Sequence, residues 1–591
     1  MNYELCIMEV KRALSLLAAS AVGAVAMAVP AKPGLVAYTQ PDGTVVNVRL
    51  VGDEHGHVVY SESGLLLVEA DGELQYAKFD AAGAPVASGI AAAQGNEHLA
   101  MTFQTSAERE QWAARVDDDR ATRVSQYRAT MAGQARAKAA APAGEEAGEG
   151  AVPFQFGRIP SSFPVLGEQK GLVVLVQYQD EAFEYGDYDY FQRALNQEGF
   201  SDNGALGSAR DWFIENSDGR FIPQFDVFGP VTLPNDRLYY GKNTGFGRDE
   251  RAYEMAIHAC QMLDDEIDFT QYDRDGDGFI DNVFVFYAGA GEHESGIAST
   301  VWPHSWDIVD ACPGEKFIFD GVQLNHYACT SECLKRFDRV DGIGTFVHEF
   351  SHVMGLPDLY CTAMGSPFTP GPWSVLDSGP YNNDGVTPAN YSAFEKCALG
   401  WLDFKPLPEG IVELPDLSTS NEAYYLPTDN PNEFFFFENR QQVGNDAFLP
   451  GHGMLIWHVA YDAYKWFTNT VNNGTSKQLV DIVEADNKKT DDTRDGDPFP
   501  GTANVTSFTY NTLPRLISWN RKRPALDIEE IAETDEGLIT FKAVAHSEDT
   551  AVGEAAVEES TSAPCYDLMG RPVTNPAAGI YIRDGKKLII H

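Results

Sequence analysis

Residues 344–360 read GTFVHEFSHVMGLPDLY, which sets His348 and His352 four positions apart with Glu349 beside the first. Positions four apart on a helix stand one above the other on one face, so both imidazoles can aim a ring nitrogen at a single cation. Glu349 lies one residue round, displaced from that face as a ligand but placed to take a proton from cation-bound water. Gly355 follows the helical run, where a left-handed residue ends a helix, and the chain turns back toward Asp358. The pattern HExxHxxGxxD thus offers two imidazoles and a carboxylate. Zinc takes such donors at about 2.0–2.2 Å, and three protein ligands leave a fourth position for water, whose pKa zinc lowers to about 7. The chemistry this spacing allows is attack of activated water on a carbonyl. The plainer reading is a helix with half-exposed histidines.

A second cluster, DRDGDGFID (273–281), puts Asp273, Asp275, Asp277 and Asp281 at positions 1, 3, 5 and 9 of a calcium loop, with Gly278 at the sharp turn. Position 12 is Phe284 rather than the bidentate glutamate, so another carboxylate has to close the shell. Carboxylates this close repel one another without a cation, which favours a structural Ca2+ ion; DDTRDGD (491–497) is a weaker candidate. Six cysteines, Cys260, Cys312, Cys329, Cys333, Cys361 and Cys397, crowd one stretch of the chain. In an exported protein that clustering predicts disulfides, with the pairing left open.

These groups need a scaffold. The apolar runs GLVVLVQYQ (171–179) and NVFVFYAGAG (282–291) read as buried strands, and GSARDWFIENS (207–217), capped by Ser208, and RAYEMAIHACQMLDD (251–265) read as helices. Residues 153–402 are therefore expected to form one α+β unit. Beyond it, FFFFENRQQV, GMLIWHVAYD, QLVDIVEA and GLITFKAVA predict an all-β, sandwich-like domain over 403–545. Ahead of it, hairpin-like strands predict a β-rich domain over 29–132, joined by an Ala/Gly/Glu-rich flexible linker over 133–152. An acidic linker over 546–563 leads to a short β tail over 564–591.

Lys11 and Arg12, the apolar run to Ala28 and the Ala26-Met27-Ala28 pattern predict a signal peptide over 1–28 and hence export. No later run reaches transmembrane length. With 43 basic against 87 acidic residues the net charge is −44, a field that excludes nucleic acid and anionic lipid as natural partners.

GTFVHEFSHVMGLPDLY resembles the immune inhibitor A family of secreted zinc metallopeptidases, whose site is metzincin-like with an aspartate where a third histidine is usual. GSARDWFIENSDGRF, DGDGFIDNVFVFYAGAGE, VWPHSW, YSAFEKCALGWL, FFFFENRQQ with FLPGHGMLIWHV, and DPFPGTANVTSFT carry the resemblance over about 170–510. It implies a metzincin-like domain over 153–402, with a mixed twisted sheet and an active-site helix. It also implies that His348, His352 and Asp358 hold Zn2+, that Glu349 is the general base, and that residues 29 to about 150 are a propeptide. The implied activity is that of a secreted zinc endopeptidase made as a zymogen and acting on extracellular proteins or peptides.

Tyr381 stands where related enzymes place a phenol that binds the oxyanion, and Leu376 replaces the methionine of the turn beneath the metal. His304 and His458 are expected in the core. With no cysteine to switch the prosegment, Asp53, His55 and His57 of GDEHGH are candidates for displacing the catalytic water. The tail resembles sorting modules of type IX secretion cargo, which implies the secretion machinery as a partner and the cell surface or medium as destination. The rival reading is an inactive adhesin or glycan-binding protein on the same scaffold.

Overall fold

The computed structural model describes Met27 and residues 29–93, 95–139, 163–334, 338–364, 367–403, 405–474 and 477–546, together with four short strands between 565 and 590. The expected signal peptide (Met27 apart), residues 140–152 of the expected linker and the acidic stretch 547–563 lie outside the described residues. Two compact units result, Met1–Ala543 and Val544–His591. The protein is a mixed α/β structure with several sheets, and among the described residues no helix is long and apolar enough to cross a membrane.

The first unit begins with a six-stranded antiparallel meander: β1 (Val36–Thr39), β2 (Val45–Asp53), β3 (Gly56–Ser61), β4 (Leu66–Ala70), β5 (Glu73–Phe79) and β6 (Pro85–Ala91). Asp71 and Gly72, with φ of 54° and 77°, make the two-residue turn between β4 and β5 that matches strand twist. Helix α1 (Ser106–Ala139) follows and runs past the expected start of the linker at residue 133. The stretch GQARAKA is made of strong helix formers apart from its glycine, and propensity carries the helix on.

The central sheet has the order β10 (His304–Asp307), β13 (His326–Leu334), β9 (Val283–Ala290), β7 (Gly167–Gln177), β8 (Phe221–Thr232), with β14 (Arg339–Val340) paired to β13. β8, β7, β9 and β13 are parallel and β10 is an antiparallel edge. β11 (Phe317–Phe319) and β12 (Val322–Leu324) form a separate hairpin. Alternation along a strand sends neighbours to opposite faces. Val173, Leu175, Phe284 and Phe286 accordingly enter one core, and Leu172, Val174, Val283 and Val285 the other. Burial on both faces is why these strands read as unbroken apolar runs.

Helix α2 (Ala209–Asn216) begins at Ser208 with the expected cap and a reciprocal bond from Asp211. Helices α3 (Glu254–Met262), α4 (Glu292–Ser295) and α5 (Gly344–Val353) follow in the chain. All ten residues of α5 are buried. A Cβ on Gly344 would stand 2.1 Å from the Pro380 carbonyl oxygen, so glycine there lets the 379–385 loop press against the helix start.

Two further sheets finish the unit. β15 (Gly410–Leu414), β21 (Ile539–Ala545) and β20 (Leu526–Glu533) form one; β16 (Tyr424–Pro427), β17 (Glu433–Arg440), β18 (Gly453–Ala460) and β19 (Val480–Ile482) form the other. Val412, Leu414, Ile528 and Phe541 share a core with Phe435, Phe437 and Ile456. The opposite face of the second sheet, with Phe434, Phe436, Leu455 and Trp457, belongs to the same core as Phe346, Val347 and Phe350 of α5. Each such side chain contributes about 1.5–3 kcal/mol when fully buried, so the β region and the helix stabilise each other. The second unit holds β22 (Cys565–Tyr566), β23 (Pro572–Val573), β24 (Gly579–Arg583) and β25 (Lys586–Ile590), in the order β23-β22-β24-β25.

The expected disulfides are not formed. Cys260, Cys312, Cys329, Cys361 and Cys397 carry free thiols, and Cys333 bridges none of them. Cys329 and Cys333 lie on a single extended strand, and Cys260 and Cys329 fill one apolar core as small hydrophobes.

Candidate metal centre

Helix α5 stacks His348 and His352 on one face, and Gly355, at φ 93°, closes the helix through its N–H to the His352 carbonyl before the chain returns to Asp358. The two Nε2 atoms are 3.1 Å apart, and Asp358 Oδ1 is 3.3 Å from His348 Nε2 and 3.2 Å from His352 Nε2. His348 Nδ1 donates to the Val375 carbonyl at 2.6 Å and His352 Nδ1 to the Leu356 carbonyl at 2.7 Å. Those bonds leave both Nε2 atoms as bare lone pairs. Asp358 Oδ1 is buried without a hydrogen bond, while its other oxygen accepts from Asn469 Nδ2.

Three bare donors facing one another at 3.1–3.3 Å repel unless a cation lies between them. The spacing matches tetrahedral ligands about 2.0–2.1 Å from a centre, so the residues fit zinc. Leu376 lies in the apolar core beside Val375, and its carbonyl accepts the Leu359 N–H at 2.7 Å, which ties this turn to the chain just after Asp358.

Glu349 is buried beside the triad, and burial raises its pKa well above the ordinary range. Its Oε1 accepts the backbone N–H of Val29 at 2.8 Å. Met27 and residues 29–32 thus lie against the walls that flank Glu349. Met27 exchanges both backbone hydrogen bonds with Ser305 on edge strand β10, and the Val29 carbonyl accepts from Trp302 Nε1 at 3.0 Å. The Pro30 carbonyl accepts the Tyr381 hydroxyl at 2.5 Å, and Lys32 N–H donates to the His293 carbonyl at 2.9 Å. Burial, with the Asp341, Glu294 and Glu349 carboxylates nearby, keeps the Tyr381 phenol protonated well beyond its usual range. His293, on α4, stacks on the Tyr381 ring (centroids 6.1 Å, 25°), and burial pushes its pKa down to about 3.

The other expected residues divide. Asp273, Asp275 and Asp281 bring carboxylate oxygens within 4.8 Å of one another, whereas Asp277 turns its oxygen to the Phe279 N–H. Burial, then the neighbouring Asp275, Asp273 and Asp277 charges, push Asp281 up to about 8 against the Arg274 N–H. Of GDEHGH, His57 bonds Glu292 at 2.8 Å and stacks on Trp302, and Asp53 pairs with Arg120 at 2.6 Å. Glu54, next in the chain, is buried with no hydrogen bond to either oxygen and its Oε1 3.3 Å from His55 Nε2; burial, then the Asp53 and Asp358 charges, raise its pKa. His304 is core, bonded to the Trp302 carbonyl and Tyr327, and His458 stacks between Phe435 and Trp519.

Sequence reasoning missed Asn469, which lies 111 residues from Asp358, as well as His293 and residues 29–32. No spacing flags Asn469. Val29 and the residues just after it border a leader-like run, whose composition says nothing of where they lie.

The helix thus carries two histidines and a glutamate, and the turn after it brings Asp358 to the histidines, all four side chains buried. Residues 174–402 match the family described as immune inhibitor A peptidase M6, catalytic domain, which bears out the resemblance drawn from the motif. The chain is 26% identical over 304 residues to Immune inhibitor A of Bacillus thuringiensis subsp. alesti, covering 41% of this chain and 43% of that protein. It is also 26% identical over 235 residues to the pre-pro-metalloprotease PrtV of Vibrio cholerae serotype O1, covering 33% of this chain and 25% of that one. The chain thus spans less than half the length of these curated relatives.

Proposed function

We propose that the chain is an exported zinc endopeptidase, made as a zymogen, that hydrolyses peptide bonds of extracellular proteins on a metzincin-like scaffold. The observation that carries this reading is the set of three bare donors beside a buried glutamate whose Oε1 accepts from the Val29 main-chain nitrogen. His348, His352 and Asp358 would hold the zinc, which supplies Lewis acidity and a water of pKa about 7. Glu349 takes the proton of the attacking water and returns it to the leaving amine, the position its bond to Val29 N–H marks. Tyr381 keeps the oxyanion role that the family resemblance implies, although in this chain its hydroxyl is bonded to the Pro30 carbonyl, on the leaving side of the amine that Glu349 marks.

Residues 29–132 act as the propeptide, a reading supported by Val29 on Glu349, Pro30 on Tyr381 and His57 on Glu292. A structural Ca2+ on Asp273, Asp275 and Asp281 is supported by the buried, unbonded Oδ1 of Asp273. The tail would serve export through a type IX machinery. The test is zinc stoichiometry and casein cleavage by the full chain before and after nicking away its propeptide. Stoichiometric zinc and activity only after nicking are expected; zinc-free protein, or a nicked protein that cleaves no peptide bond, would leave the adhesin reading.

A further inference from the structure

Residues 29–32 show which groups of the wall around Glu349 address a peptide backbone, and one polar side chain of that wall is left over. Val29 spends its N–H on Glu349 and its carbonyl on Trp302, while Ala31 donates to Gly52 of the β2–β3 hairpin. Pro30 and Lys32 turn the other way: the Pro30 carbonyl meets Tyr381, and Lys32 N–H meets the His293 carbonyl. In an extended segment a residue's N–H and C=O point to the same side and alternate residues share that side. The N–H of residue 30 would therefore point at the wall formed by Tyr381 and His293, but proline has none.

That wall holds an unpartnered group. The His293 side chain is 0% exposed, and neither ring nitrogen has a hydrogen-bond partner. The ring lies flat on Tyr381 and edge-on to Trp302 (centroids 6.3 Å, 63°), between the two donors that hold the carbonyls of residues 29 and 30. A buried polar group is almost always bonded, so one left bare in a cleft points to a ligand that brings the partner. We propose that His293 is a specificity-determining residue. Its imidazole accepts the backbone N–H of the second residue beyond the cleaved bond, an N–H that protein substrates present and the Pro30-bearing segment does not. On this reading the segment sits in the cleft without the full set of bonds a substrate makes. The inference rests on the peptidase reading, in which the amide against Glu349 marks the leaving side.

The test compares two peptides of one sequence, taken from a casein site the nicked full chain cuts, one carrying an N-methyl group on the second residue after the cleaved bond. The wild type should favour the unmethylated peptide by about tenfold in kcat/KM, the scale of one hydrogen bond. His293→Phe, which keeps the stack on Tyr381, should lose that preference by falling only on the unmethylated peptide, mainly through KM. His293→Gln, which restores an acceptor, should recover part of it; zinc content and Tm establish that each variant is folded. A His293→Phe protein that keeps the wild-type preference, or that loses both peptides equally, overturns the assignment, as does a wild type that cuts both equally well. A wild type that cuts neither peptide nor casein overturns the peptidase reading, and this one with it.

Discussion

The metal centre and the acidic loop both collect carboxylates or imidazoles within bonding reach of one cation, and they are built in opposite ways. At the centre, the far atoms of the ligands are tied to the protein: His348 to Val375, His352 to Leu356 and Asp358 to Asn469. The near atoms are bare. In the loop the carboxylates turn inward, Asp273 to Gly278 N–H, Asp275 to Asp277 N–H and Asp281 to Arg274 N–H. A site held from behind keeps its geometry with or without an ion. A loop whose carboxylates largely accept its own amides, with Asp273 Oδ1 left over, must trade some of those bonds for an ion. The difference is the one expected if the first held a catalytic ion and the second a structural one.

The largest expected effect that would break this contrast is at Glu349. Glu349→Ala should lower kcat/KM by about 10³-fold while zinc content stays stoichiometric, the outcome for a residue proposed to move the proton rather than to bind the metal. Chelator-sensitive activity at the wild-type level in that variant would remove its role. Next, Asn469→Ala should weaken zinc binding by about 10- to 100-fold in a competition titration, the usual cost of losing a group that orients a ligand. An unchanged affinity would mean Asp358 is held by other means.

The loop predicts a smaller, pH-linked effect. Asp281 has a folded pKa of about 8, above its unfolded value of 3.8, so the native loop binds the extra proton. Its contribution is present below the unfolded pKa and is lost as pH rises through about 8. Added calcium should therefore raise Tm by a few °C at pH 8 and hardly at all at pH 4, measured by calorimetry; a calcium shift that shrinks with rising pH contradicts the site. Leu376→Met should do least. The swap nearly conserves volume, costs less than about 1.5 kcal/mol and should leave kcat/KM within about twofold.

Features set by local spacing were legible in the sequence: the His348–His352 pair, the Gly355 turn, the Ser208 cap and the two-faced burial of β7 and β9. Each depends on residues within a turn or two of one another. What escaped depends on distant partners. Asn469 reaches Asp358 across 111 residues, and nothing in its neighbours announces it. Val29 and Pro30 read as the edge of a leader, because composition identifies an export signal and says nothing of where the chain beyond it lies. Cysteine clustering along the chain implied bridges that three-dimensional placement does not make. Asp277 matched the loop pattern by position, yet its own turn claims its oxygen.

Asn469 also decides where the chain can be cut. A fragment ending at residue 402, where the family match stops, would retain every ligand and still lack the amide that steers the third. It would also expose the α5 core that Phe434, Phe436 and Trp457 cover. The smallest portion worth expressing on its own therefore extends to about residue 546, and a catalytic fragment trimmed to the family boundary should come out as insoluble, metal-poor material.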